Sequence, residues 1–529
     1  MLPRDLIRRC ARNFPDKPAY YCGERVATWR DMDRRAEALA LALAELGVGK
    51  GDTVAIYAQE SIAIYEHFFA CMKLGTVRVG INCRYAEAEV RHVVHDSTVR
   101  VLIVEAGQAA IARAWLEEFV ADGVILIGLG DGHGLALDYD TLLERCAGRT
   151  LAAPPLAADD AVLISYTSGT SGLPKGVVLS HDALQHVIVH TVIGMGFSAD
   201  DVWYMPAAAS WIVICLNVLG LANGMAHVIP EGGFETRRFL RDIERRRVSV
   251  FLHVPTAMRW IMQEYATGAY DFSSVRMVIF GSSPASPALI SRIHATWPQC
   301  ALLQTYGLTE ATGGWVTFMT PGDYRRAFEE RPDLLASIGR CGTHFEASIR
   351  DADGAELPAG ERGELWLRGP TLMKEYLHLP EKTREVLTED GWLRCSDIAS
   401  MDAEGYIFLH DRKDFLIITG AVNVFPSSVE AVLSMHPQVE EVAVVGVPHP
   451  EWGEAVVAVV KAQDGAAPSP QALLDFCRNR LGKPELPKHI LFVSEPLPKT
   501  LTAKLRKKEI RDWFLRDPSL VPWPLDAVE

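Results

Sequence analysis

The chain has 529 residues, 49% hydrophobic and 23% charged, an ordinary balance for a globular protein with room for a large core. Its 53 basic and 67 acidic residues leave a formal charge of −14, which argues against nucleic acid or an anionic membrane as the main partner. Ten scattered cysteines without a Cys-x-x-Cys pair fit buried thiols in a reducing cytoplasm better than a disulfide frame or zinc site.

The length suggests about three or four domain-sized units. Arg4, Asp5, Arg8 and Arg9 open the chain without a long apolar block, so no signal peptide is expected. Residues 1–150 alternate helical and strand patterns. Ala36, Leu39, Leu43 and Leu46 recur at helical spacing, and Gly47 closes that helix. Residues 53–57, 101–104 and 124–127 are expected strands. Helices between strands imply parallel sheets covered on both faces, an α/β fold.

The apolar run 161–164 leads into Tyr166-Thr167-Ser168-Gly169-Thr170-Ser171-Gly172-Leu173-Pro174-Lys175-Gly176. Glycines let backbone N–H groups turn inward, hydroxyls add donors and the lysine supplies a point charge, which together can cradle phosphate oxygens. The stretch is not a Walker A loop, because Lys175 stands between Pro174 and Gly176. Nor does it match the Gly-x-Ser-x-Gly nucleophile elbow.

From residue 202 to 230 no side chain is formally charged, which meets the length rule for a membrane span. Asn217, Asn223 and His227 interrupt it, and Asp200, Asp201 and Glu231 flank it in place of lysine or arginine. A buried core segment is therefore expected. Further strands at 275–280 and 301–304 end at Gly281-Ser282-Ser283-Pro284 and at Thr305-Tyr306-Gly307-Leu308-Thr309-Glu310. Three loops thus sit at strand C-termini, where open α/β sheets gather ligands.

Residues 337–410 turn to short strands and turns, a β-rich subdomain. From Asp414 a smaller α/β unit follows, with 442–446 as a core strand, a polar linker at 463–470 and a basic stretch from Lys499 to Arg511.

Taken in order, these motifs resemble the acyl-adenylate-forming superfamily of acyl-CoA synthetases, luciferases and peptide-synthetase adenylation domains. The resemblance runs from about residue 20 to 515. It rests on the Tyr166–Gly176 loop, Tyr306-Gly307-Leu308-Thr309-Glu310, the Asp397 region, Asp411-Arg412-Lys413-Asp414, and Lys504 in Pro498-Lys499-Thr500-Leu501-Thr502-Ala503-Lys504. It implies a large N-terminal domain, 1–413, of two α/β subdomains plus the β-rich one, and a small mobile domain, 414–529, hinged at Asp414.

The implied chemistry is attack of a carboxylate on the α-phosphate of ATP, giving acyl-AMP and pyrophosphate, then displacement of AMP by the thiol of CoA. Thr167, Ser168, Gly169, Thr170, Ser171, Gly172 and Lys175 would hold the β- and γ-phosphates. Thr309 would touch the α-phosphate, and Glu310 would hold Mg²⁺. Tyr306 would pack on adenine, with Gly281, Ser282 and Ser283 lining the base pocket and Gln304, Thr305, Gly307 and Leu308 completing the nucleotide site. Asp397 and Arg412 look like a ribose pair, since a carboxylate accepts two hydroxyls and an arginine fork fixes the ring. Lys504 would bridge the substrate carboxylate and α-phosphate, and Gly420 would let pantetheine pass. No redox cofactor is implied, and the oligomeric state, homodimer included, is left open.

The chain departs from the family at Met205-Pro206-Ala207-Ala208-Ala209-Ser210-Trp211, where an aromatic and a histidine are usual. Methyl groups there, with Gly313 and Gly314, enlarge the expected acyl pocket and point to a bulky polycyclic, terpenoid or aryl acid; Trp211 could refill the space. Cys395-Ser396-Asp397 replaces Thr-Gly-Asp, Phe415 an acidic residue, Ala421 the second glycine of a pair, and Ala503 a glycine. The leading reading is an acid:CoA ligase, supported by Val445-Gly446-Val447-Pro448-His449-Pro450-Glu451-Trp452-Gly453-Glu454, which resembles CoA ligases. The other readings are an enzyme confined to thioesterifying a preformed acyl-AMP, a carrier-protein-loading ligase, a luciferase-like oxygenase, and a non-catalytic nucleotide-binding protein. The presence of Lys175, Glu310, Asp397, Arg412 and Lys504 argues against the last.

Overall fold

The structure, a computed structural model, describes residues 1–167, 174–268, 270–283, 285–419, 422–478, 480–499 and 505–524, with the side chains of Asp414 and Asn423 excepted. It divides into two compact units, Met1–Glu346 with Leu367–Leu393, and Ala347–Trp366 with Arg394–Glu529.

The α/β class expected from the alternation is what the first unit shows. Among the described residues it holds two large sheets, of eight and nine strands. In the first sheet the strands Ala161–Thr167, Val77–Ile81, Thr53–Tyr57, Val99–Glu105, Ile125–Leu129 and Leu137–Asp138 run parallel, and Lys175–Ser180 and Glu375–Tyr376 add an antiparallel edge. Their side chains are almost continuously apolar because helices cover both faces. The second sheet has a parallel centre of Ala301–Gly307, Met277–Gly281, Val250–His253, Val202–Tyr204, Ala226–Ile229 and Pro18–Cys22, with antiparallel edges. The helix expected around Ala36, Leu39 and Leu43 is Trp29–Glu45, which buries those residues. Thr28 caps its start and Gly47, at φ +79°, follows its end.

The uncharged stretch 202–230 is core, as expected, and is broken into short pieces: Val202–Tyr204, Ile212–Val218, Gly220–Asn223 and Ala226–Ile229. Its polar interruptions have internal uses. Buried Asn217 accepts from the Trp203 indole (3.1 Å) and donates to the Tyr65 hydroxyl (3.0 Å). Among the described residues no helix is long and apolar enough to cross a membrane.

The β-rich stretch 337–410 supplies strands to three sheets. Arg340–Cys341 and Glu375–Tyr376 are edges of the two large ones, while Glu346–Arg350, Arg362–Arg368, Leu393–Met401 and Ile407–Arg412 form a sheet of their own. In the second unit the long antiparallel pair Val439–His449 and Gly453–Ala462 divides its valines by alternation beyond a bulge between Val439 and Glu441. Val442, Val444, Val456 and Val460 pack on one face under the helices Pro426–Leu433 and Pro470–Arg478. Ala443, Val445, Val457 and Val459 pack on the other, against Ile510 and Phe514 of the helix Lys507–Arg516. The basic stretch finds acidic partners inside its own unit: Lys507 with Glu430 (2.9 Å), Arg511 with Glu454 (2.8 Å), and Lys499 with Glu441. Among the described residues, which include all ten cysteines, no disulfide is formed.

Candidate active site

Two adjacent parallel strands of the nine-stranded sheet, Met277–Gly281 and Ala301–Gly307, end side by side. Gly281 is the register partner of Thr305, and a Cβ on Gly281 would stand 2.5 Å from the Thr305 carbonyl oxygen, so only glycine fits. Ser282 follows in the left-handed region at φ +65° and is exposed, with Ser283 half-buried beside it. Tyr306, Gly307, Leu308, Thr309 and Glu310 emerge half-exposed from the same edge. Gln304 and Thr305 are buried, the Gln304 amide oxygen accepting from Tyr324 at 2.9 Å. These two therefore stand behind the strand end, while Tyr306 and its followers face outward.

The chain then makes a tight turn, Thr309–Ala311, and doubles back so that Gly307 pairs with Trp315. Thr312, at φ +60°, donates its hydroxyl to the Thr371 carbonyl (2.5 Å), and the Glu310 carbonyl accepts from Met373 N–H (2.7 Å). Three residues on, Tyr376 donates its hydroxyl to Glu310 Oε1 at 2.7 Å. The Lys175 ammonium lies over the same ring, 5.0 Å from its centroid. Thr167 and Lys175 face each other across the antiparallel register, so both ends of the expected phosphate loop are brought together. Ser168, Gly169, Thr170, Ser171 and Gly172 lie outside the described residues. Tyr376 carried no signal in the sequence reading. It is a single aromatic 66 positions from Glu310, brought there by the tertiary bonds of residues 371–373 and by the edge pairing of Glu375–Tyr376 on Lys175–Ser180.

The alanine loop is gripped by its backbone. Ala209 N–H donates to Glu60 Oε1 (2.5 Å), and the Ala209 carbonyl accepts from Arg78 Nη2 (2.7 Å). Arg78 is fully buried over the Phe68 ring, and burial pulls its guanidinium down to about 10. Gly80 permits this approach: a Cβ there would stand 2.7 Å from the Ser210 Cα. Ala207 and Ala208 are half-buried and Ala209 is buried. The Trp211 indole lies near the Tyr85 hydroxyl. Ile212, next in the chain, lies against Gly313, and Gly314 follows, so the residues expected in the acyl pocket share one neighbourhood. An arginine inside the apolar strand 77–81 was a readable signal for this clasp, whereas Glu60 was not.

Glu60 carries a pH dependence. Burial pushes its carboxyl up from an ordinary 4.5 to about 7, against the opposing Ala209 N–H and Arg78 charge. Between those values the unfolded chain releases the proton and the folded chain keeps it. Stability is therefore lost as pH rises through that window, and the loss is complete above 7. Glu60→Gln keeps an acceptor for Ala209 without the ionisation. The variant's stability relative to wild type is expected to rise by roughly 2–3 kcal/mol between pH 4.5 and 7.5, measured by urea denaturation. A difference that is flat with pH would contradict this.

In the second unit Asp397 and Arg412 are register partners on adjacent antiparallel strands, with Arg412 Nε 3.4 Å from Asp397 Oδ1. Asp397 is largely covered and Arg412 about half exposed. Ser396, which stands where the resemblance leads one to expect glycine, sits at φ +58° in the left-handed region. Ser396→Gly relieves that backbone and is expected to stabilise the protein by about 0.5–1 kcal/mol, read as a shift in denaturation midpoint. Gly420, Ala421 and Lys504 lie outside the described residues, as does the side chain of Asp414.

Hydroxyls and a partly exposed carboxylate at strand ends of one sheet meet a lysine on the edge strand of the other, the kind of place where α/β enzymes gather their ligands. The chain belongs to the AMP-binding enzyme family: residues 7–377 match the AMP-binding enzyme domain and 428–504 its C-terminal domain. It is 34% identical over 521 residues to a feruloyl-CoA synthase of Amycolatopsis sp, covering 96% of this chain and 98% of that one. It is 33% identical over 518 residues to a fatty acid–[acyl-carrier-protein] ligase of Streptomyces coeruleorubidus, covering 96% and 95%. The amide bond synthetase McbA from Marinactinospora thermotolerans has a similar structure, with a TM-score of 0.85 at 30% identity, covering 97% of this chain and all of that one. The chain is thus an adenylate-forming acid ligase of a family that uses ATP.

Proposed function

We propose that this ligase activates a bulky carboxylic acid as acyl-AMP and passes the acyl group to CoA. In the first half-reaction a carboxylate oxygen bonds to the α-phosphorus of ATP and the bond to pyrophosphate breaks. In the second, the CoA sulfur bonds to the acyl carbon, AMP leaves, and the thiol proton passes to solvent. Lys175, with Thr167 and residues 168–172, binds the β- and γ-phosphates; Thr309 contacts the α-phosphate. Tyr306 and the edge of Gly281, Ser282 and Ser283 receive adenine, and Asp397 and Arg412 the ribose. Lys504 bridges the two anions in adenylation. Asp414 is the hinge of the C-terminal part, and Gly420 borders the path of pantetheine.

The observation that supports this reading most directly is the meeting of the Glu310 carboxylate and the Lys175 ammonium on one tyrosine, Tyr376. A half-exposed carboxylate with one oxygen held by a hydroxyl suits Mg²⁺, which takes one or two carboxylates and completes its shell with phosphate oxygens and water. Glu310 would hold the ion, which when bound with ATP neutralises charge on the phosphates. The alanine loop, short of side-chain volume beyond the methyls, supports the choice of a bulky acid.

The acceptor has a second reading. The carrier-protein ligase and the amide bond synthetase are about as similar to this chain as the CoA-forming relative, which favours testing other nucleophiles. The test is a screen of acids with ATP and Mg²⁺ for pyrophosphate, followed by CoA, holo carrier protein and amines as acceptors for the best acid. Thioester formed with CoA faster than product formed with the others supports the proposal; preference for a carrier protein or amine replaces it.

A further inference from the structure

We propose that Tyr376 is a positioning residue that sets both charged groups at the phosphate end of the site, the Glu310 carboxylate through its hydroxyl and the Lys175 ammonium through the face of its ring. This rests on the ligase reading above for what the two groups bind. The tyrosine itself is fixed from several directions. It is only 6% exposed, its N–H donates to Thr383 Oγ1 at 3.0 Å, and it pairs with Val177 on the strand that Lys175 begins. Leu377 N–H donates to the Gly176 carbonyl at 2.8 Å, locking the register one residue further on.

Each contact does different work. The hydroxyl hydrogen bond occupies a lone pair of Oε1 and fixes the plane of the carboxylate, which leaves Oε2 for a cation. The ring face attracts the ammonium without supplying an acceptor, so the lysine keeps its N–H donors for phosphate oxygens. A carboxylate in the ring's place would have neutralised Lys175, and an amide would have competed for those donors. The Met373 N–H bond to the Glu310 carbonyl holds the two segments together whatever side chain stands at 376, so the side-chain roles are separable from the fold.

Two substitutions divide the contacts: Tyr376→Phe keeps the ring and deletes the hydroxyl, and Tyr376→Leu deletes both. The readout is ATP affinity by calorimetry across a Mg²⁺ titration, which needs no acid, together with the melting temperature. For Tyr376→Phe the Mg²⁺ needed for half-maximal ATP affinity is expected to rise about tenfold, with near-normal affinity restored at high Mg²⁺. Tyr376→Leu is expected to lose a further two- to fivefold in ATP affinity that Mg²⁺ does not restore. An unchanged Mg²⁺ dependence in Tyr376→Phe overturns the proposal. So does a loss that excess Mg²⁺ cannot rescue and that follows a lowered melting temperature. If the wild-type protein binds ATP with Mg²⁺ but releases no pyrophosphate with any acid, the ligase reading fails while the titration still decides the role of Tyr376. If the wild type does not bind ATP, both fail.

Discussion

Lys504→Ala is expected to slow acyl-AMP formation about 100- to 1,000-fold while leaving thioester formation from supplied acyl-AMP within a few-fold of wild type. Adenylation drives a carboxylate against an α-phosphate, and without a cation between them two anions repel in a site of low dielectric. The thioester step has no such pair to reconcile. Other basic residues around Lys504 do not substitute, because they already hold carboxylates: Lys499 with Glu441, Arg506 with Glu509 and Lys507 with Glu430. Lys507→Ala is the informative control. It leaves Glu430 buried without its ammonium and should lower the melting temperature, where Lys504→Ala should not. Quenched-flow measurement of each half-reaction checks the division, and equal loss of both steps would count against it.

Glu310→Gln is expected to lower pyrophosphate release by about 100- to 1,000-fold and to abolish its stimulation by added Mg²⁺. The amide is nearly isosteric and can still accept from the Tyr376 hydroxyl, and the backbone bond from Met373 persists, so the melting temperature should hold. What changes is the charge available to a cation. A variant whose Mg²⁺ response matches wild type would place the metal elsewhere and remove Glu310 from the nucleotide site.

Where periodicity and turn chemistry act locally, the sequence was a good guide. The strand end at Gly281 and the helix around Leu39 and Leu43 fell close to expectation, the strand from Ala301 runs three residues past its expected end at Gln304, and the uncharged stretch 202–230 proved to be core. The pairing of Asp397 with Arg412 is a register fact that no spacing rule supplies; the family resemblance carried it instead. Tyr376, Glu60 and Arg78 were missed because each acts through tertiary neighbours. Tyr376 meets Lys175 through a two-residue edge strand and Glu310 through the chain that leads into it, where Met373 N–H donates to the Glu310 carbonyl. Glu60 and Arg78 both grip the Ala209 peptide, about 130 to 150 positions away; an arginine inside an apolar strand hints at a buried partner, but no spacing says which one. The alanines at 207–209 could be read as lost volume, but not as a backbone held from both sides.

The central claim is that this chain breaks ATP at the α-phosphate to make a mixed anhydride with a carboxylic acid. Incubating the purified protein with α-phosphate-labelled ATP, Mg²⁺ and a panel of polycyclic, terpenoid and aryl acids, and resolving the labelled products, tests it directly. The expected result is labelled acyl-AMP, with an equal amount of unlabelled pyrophosphate released, for at least one bulky acid. Labelled ADP in place of acyl-AMP, or ATP left intact with every acid, would contradict it.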